Sequence, residues 1–301
     1  MTSKSWLGFA LATTLMWGVW GAFTGFSAQH GFPETLVYCV WALTMIVPAI
    51  AALVSSGWKI QTDRRSVIHG LLIGLLGAGG QMVLFYAVTI GPPYLIFPII
   101  SLSPVVTIGL SFLLLGERTN WIGLIGIVLA LMALPLFDFS PGGLGAGPRI
   151  GWFALSMVVM AAWGLQAYFM KVANNTTSAE SIFVYMTLSG LILAPVAFLM
   201  TNFSKPINWG LDGPYLAAGI QLLNAVGALT LVHAFRHGKA IVIAPLTNAG
   251  APLITAVLSL ALLGQIPSSL KIVGIVLATA AALLLALAPE EASVAATTPV
   301  E

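Results

Sequence analysis

Residues 104–116 read PVVTIGLSFLLLG, and 148 positions later residues 252–264 read PLITAVLSLALLG. Proline, threonine, leucine-serine and a closing leucine-leucine-glycine recur in the same places. The five residues Gly126 to Ala130, GIVLA, recur unchanged at Gly274 to Ala278 with the same offset. Upstream the register slips slightly: Trp17-Gly18 is matched by Trp163-Gly164, and Pro98 by Pro245. Apolar sequence often matches itself by chance, but a nearly fixed offset across several segments marks an internal duplication.

Working outward, each copy holds five apolar segments long enough to cross about 30 Å of hydrocarbon. They are predicted at 6–28, 35–55, 67–90, 94–115 and 121–137, then at 150–171, 181–200, 214–235, 241–263 and 270–288. The expectation is an all-α integral membrane protein of ten transmembrane helices in two repeats, residues 1–140 and 149–288. Residues 289–301 form a small, polar, acidic tail expected to be disordered and cytoplasmic. Five is odd, so the second copy enters the membrane from the opposite side, making an inverted pair with the solute site expected between the halves.

Composition agrees. Apolar residues make up 59% of 301 positions and charged ones 7%, against about 25% in soluble domains. A soluble domain is therefore excluded, and no basic stripe supports nucleic-acid binding. Cys39 alone forms no internal disulfide and completes no metal site. The first apolar run exceeds the roughly 7–15 residues of a signal-peptide core and has an internal counterpart, so it reads as a retained helix.

With the N-terminus cytoplasmic, Lys4, Lys59, Arg64, Arg65, Arg118, Lys171, Arg236 and Lys239 fall on one side, and Arg149, Lys205 and Lys271 on the other. That bias predicts both termini inside.

These features, with Trp-Gly in the first helix of each repeat and Leu115-Gly116-Glu117 closing the fourth, resemble the drug/metabolite transporter superfamily, EamA type. The second copy departs at Leu263-Gly264-Gln265, where glutamine replaces the acid. The resemblance implies a multi-pass carrier of the bacterial inner membrane, moving metabolites or amino acids and often exporting them. A monomer or weak homodimer in the lipid bilayer is expected, with no cofactor.

Pro98, Pro104, Pro245 and Pro252 lie in the predicted fourth and ninth segments. Each proline lacks an N–H and crowds the carbonyl four residues back, and in lipid such groups must face protein or a wet cavity. These are hinge candidates, with Ser101 and Asn248 nearby as candidate solute contacts. Trp17 lies roughly 16 Å into the first helix at 1.5 Å per residue, and Trp163 lies as deep in the sixth. Trp20 and Gln166 share their faces. A packed aromatic is the plain reading, and a pocket wall the sharper one. Gln81, Gln221 and Asn224 are mid-membrane amides, which serve as interhelical glue or solute contacts. Glu117 is expected to cap the fifth helix, and Lys171 to snorkel to the surface.

All nine acids lie at helix ends, in loops or in the tail. A proton-driven carboxylate cycle is therefore not expected. A neutral or zwitterionic solute such as an amino acid suits this lining, and sugars or nucleosides would also suit aromatic walls. Against an enzyme, no reacting constellation is present. A membrane sensor or assembly subunit is the remaining rival.

Overall fold

The computed structural model describes residues 5–90, 99–100, 102–138, 150–263 and 268–287. Every regular element among them is helical. In chain order these are α1 (Ser5–Phe23), α2 (Phe26–Gln29), α3 (Glu34–Thr44), α4 (Ile46–Ser55), α5 (Arg64–Ile90), α6 (Ser103–Leu114) and α7 (Trp121–Asp138). There follow α8 (Ile150–Ala173), α9 (Ala179–Leu199), α10 (Leu216–His237), α11 (Ala240–Leu263) and α12 (Ser269–Leu287), with a π-type turn at Leu211–Tyr215 before α10.

Among the described residues, 6 helical stretches are long and apolar enough to cross a bilayer, and four shorter apolar helices accompany them. Their outward faces are apolar too, with Leu43, Val47, Leu113, Ile192 and Leu283 all exposed. A helix apolar on every side belongs in lipid.

The second predicted segment is divided into α3 and α4. α3 ends at Thr44, four residues before Pro48, which offers no N–H to the Thr44 carbonyl. The fourth segment is broken as well: Ile99 and Ile100 are helical, Leu102 sits in a turn, and α6 starts only at Ser103. Pro104 thus occupies the first turn of α6, where a missing N–H costs nothing. It is not an interior kink, as its predicted place within 94–115 implied. Its counterpart α11 runs unbroken through Pro245 and Pro252.

The tightest packing runs between the repeats rather than within them. α1 lies against α10 and α11, and α8 against α5 and α6. α7 pairs with α12, while α9 packs on α3, α4 and α5. Exchanging the halves turns the first pair of contacts into the second: the first helix of each copy is held by two later helices of the other.

Connections predicted to share a side do meet. Ser66 Oγ lies 3.0 Å from Thr177 Oγ1, and Arg236 Nη1 donates to the Thr177 carbonyl at 3.0 Å. At the other end, Thr35 Oγ1 lies 2.7 Å from Thr201 Oγ1, and Asn208 Nδ2 donates to the His30 carbonyl at 2.9 Å.

Candidate functional site

Trp17 and Trp163 play the same part in opposite halves. The Trp17 indole N–H donates to the Asn224 carbonyl of α10 at 3.3 Å, and the Trp163 indole N–H donates to the Gly77 carbonyl of α5 at 3.2 Å. Each ring lies on a glycine one turn further along the partner helix. A Cβ at Gly227 would sit 2.5 Å from Trp17 Cδ1, and one at Gly80 would sit 2.6 Å from Trp163 Nε1. The neighbouring glycines complete the joint. Thr255 Oγ1 donates to the Gly18 carbonyl at 2.8 Å, and Thr107 Oγ1 to the Gly164 carbonyl at 3.0 Å. A buried indole N–H needs an acceptor, and here both find one on a backbone carbonyl of the other half.

Beside this joint, between α1, α3 and α10, lies a cluster that has no matching set among the described residues of the other half. Trp20 Nε1 donates to Gln221 Oε1 at 3.1 Å. Trp41 Nε1 donates to Asn224 Oδ1 at 2.8 Å. Tyr38 stands with its ring 5.2 Å from that of Trp41. Both amide oxygens are therefore spoken for. Among the described residues, neither Gln221 Nε2 nor Asn224 Nδ2 donates a hydrogen bond. Each amide nitrogen carries two N–H donors, and Gln221 is 4% exposed.

The other predicted site residues are more scattered. Gln166 lies against Gly77 of α5, and Gln81 is half-buried further along α5. Neither makes a side-chain hydrogen bond among the described residues. Asn248 turns its amide nitrogen back onto the Ala244 carbonyl of its own helix at 2.9 Å. Pro245 is buried within α11. Pro98, Ser101 and the surroundings of Pro252 lie outside the described residues. Trp41 and Tyr38 are the contributors that sequence reading missed. The available signal was an aromatic in the middle of an apolar segment, the same signal that marked Trp17.

Two charged residues behave differently from expectation. Glu117 does not cap the fifth helix; Asn120 does, accepting from the Gly123 N–H at 2.9 Å. Glu117 Oε2 instead accepts from the Ile241 N–H at 3.1 Å, capping α11 in the other half. Burial pushes its carboxyl above the ordinary 4.5, opposed by that hydrogen bond and by the ammonium of Lys171. Lys171, expected to snorkel to the surface, is half-buried and turns to a helix end. Its Nζ donates to the Phe235 carbonyl at 3.1 Å and the Gly238 carbonyl at 2.6 Å, closing the end of α10. No group of three or more metal-ligating side chains occurs among the described residues.

The EamA-like transporter family matches residues 4–137 and again residues 150–287. The pseudopaline exporter CntI of Pseudomonas aeruginosa is 28% identical over 192 residues, 62% of this chain and 63% of that one. An uncharacterized protein of Methanocaldococcus jannaschii is 31% identical over 81 residues, 27% of this chain and 59% of that one. The matched regions thus span less than two thirds of either relative. A solved crystal structure shares the fold at a TM-score of 0.78 with 17% identity, covering 93% of this chain and 98% of that one.

Proposed function

The chain belongs to the EamA-like transporter family, and on that footing we propose that it is a secondary carrier, of exporter character, for a small neutral or zwitterionic metabolite such as an amino acid. The 6 long stretches and the four shorter apolar helices are read as ten spans in two inverted repeats, with both termini cytoplasmic. The solute sits between the halves and is passed across by alternating access. The likeness to a pseudopaline exporter supports export.

The observation that carries the solute class is the pair of amide nitrogens of Gln221 and Asn224, unengaged among the described residues, beside Trp20 and Trp41. Amide N–H groups suit a carboxylate or carbonyl oxygen. Indole faces suit an aliphatic body or an ammonium. Every acid among the described residues stands at a helix end or in a connection, so nothing acidic there would repel a solute carboxylate.

The test is flux of a panel of labelled amino acids through purified protein in proteoliposomes, beside the variants Gln221→Leu and Asn224→Leu. Solute-specific flux that both variants weaken supports the reading. A protein that is folded but moves none of the panel, and is thermally stabilised by none of it, would retire it.

A further inference from the structure

The unbroken α10 and α11 are joined at Gly238 and Lys239, so the carbonyl end of one helix lies beside the N–H end of the other. Carbonyl ends attract cations, and N–H ends attract anions. The fold supplies one of each, from two other helices. The Lys171 ammonium, at the end of α8, donates to the Phe235 and Gly238 carbonyls. The Glu117 carboxylate, following α6, accepts from the Ile241 N–H. Lys239 Nζ reaches back to the Arg118 carbonyl at 2.9 Å, and Trp6 of α1 packs so closely on Gly238 that a Cβ there would lie 2.7 Å from its Cγ. The turn is thereby tied to α1, α6 and α8, drawn from both repeats. It lies roughly 20 Å along α10 from Asn224, at 1.5 Å per residue.

We infer that Glu117 and Lys171 are positioning residues of transport: Glu117, from the first repeat, and Lys171, from the turn's own repeat, clasp the α10–α11 turn and so hold closed the face of the protein that this turn occupies. Neither need touch the solute. For the site around Asn224 to open toward this face, the turn must part from the ends of α6 and α8, and these are the polar bonds that then break. Ordinary helix packing does not require a cap to come from the other repeat. Glu117 reaches α11 from the other repeat, and Lys171 reaches α10 from α8, which itself packs on α5 and α6 of the other repeat, so these bonds link the two bodies. This inference rests on the carrier reading, because a closed face has meaning only where access alternates.

The test reads accessibility rather than flux. In a Cys39→Ser background, Ala244→Cys places a thiol at a position 2% exposed, one turn inside the clasp. A membrane-impermeant maleimide is applied from the face of the α10–α11 turn. Glu117→Ala should raise the labelling rate roughly tenfold, the size expected for loss of one charged hydrogen bond, and Lys171→Met, which loses two, at least as much. Glu117→Gln, which keeps an acceptor for the Ile241 N–H, should restore part of the protection. Hydrogen exchange of the amides at 240–242 should rise in step. Asp63→Ala, which removes the Ser66 N–H cap at the start of α5, serves as a control that leaves the labelling unchanged. Unchanged labelling in both clasp variants, with melting temperatures near the parent's, overturns the inference. Should Glu117→Ala not fold, Lys171→Met and Glu117→Gln still decide it. Faster labelling alongside absent flux in the parent would keep these bonds as a closing contact of this face but retire the carrier and with it their part in transport.

Discussion

The Trp41 indole N–H donates to Asn224 Oδ1 at 2.8 Å, while the Asn224 backbone carbonyl receives the N–H of Trp17. One residue of α10 thus fastens two tryptophans from different helices, and its amide nitrogen is aimed by the oxygen that Trp41 holds. Trp41→Phe keeps the ring and removes only that donor. The amide is then free to rotate, and the affinity for a carboxylate-bearing solute should fall by about 1 kcal/mol, the net worth of one hydrogen bond. Asn224→Ala should cost about the same. Binding and melting temperature are to be measured together. If melting temperature falls and the affinity of the folded fraction is untouched, Asn224 is only a fastener.

The two Trp-Gly joints predict matched damage. Gly227→Ala and Gly80→Ala each force a methyl into an indole, and overpacking of this kind costs about 1–3 kcal/mol. The pair should fall within a factor of two of each other, because the contacts repeat across the halves. Gly8→Ala and Gly219→Ala meet nothing within 4 Å and should be neutral or slightly stabilising, since alanine favours helix. Thermal melting in detergent checks all four, and a Gly227→Ala protein as stable as its parent would contradict the geometry.

Glu117 predicts a pH dependence of stability with a definite sign. Burial is the largest influence on it and raises its folded pKa above 4.5. The folded state then binds the proton more tightly than the unfolded state. The stabilising contribution is complete below 4.5 and is lost as pH rises through the raised folded value. Glu117→Gln cannot titrate. Its melting temperature relative to the parent should therefore improve as pH is raised from below 4.5 toward neutrality. A flat difference across that range would show that the carboxyl is not perturbed in the folded protein.

Topology gives a fourth prediction. The connections at Lys59 to Ser66, at Glu117 to Asn120 and at Gly238 to Lys239 should label from one side of the membrane, together with both termini. Those at His30 to Pro33 and at Asn202 to Gly210 should label from the other. Single cysteines in a Cys39→Ser background report this directly. A tail after residue 288 that labels opposite to residue 5 would remove the inverted repeat.

The architecture was legible because its determinants are local or periodic. Hydropathy over about 20 residues defines a span, and a nearly fixed offset defines the duplication, so the apolar runs and the repeated motifs were enough to anticipate a helical membrane protein with an internal repeat, and its family. Trp17, Trp163 and Asn224 were also marked in advance, since a polar or amphipathic group at membrane depth stands out against apolar neighbours. Which atoms those groups meet was not legible. Trp17 bonds to a carbonyl and Trp41 to an amide across intervals of 207 and 183 residues, and no spacing along one chain encodes a contact between helices of different halves. The same limit moved Glu117 from the fifth helix, its neighbour in sequence, to α11, its neighbour in space. Sequence settled that the chain is a helical membrane protein, because hydropathy is a property of each segment alone. The interlocking of the halves settled what each polar group bonds, because a hydrogen bond in a dry interior goes to whichever partner packing brings within 3 Å or so.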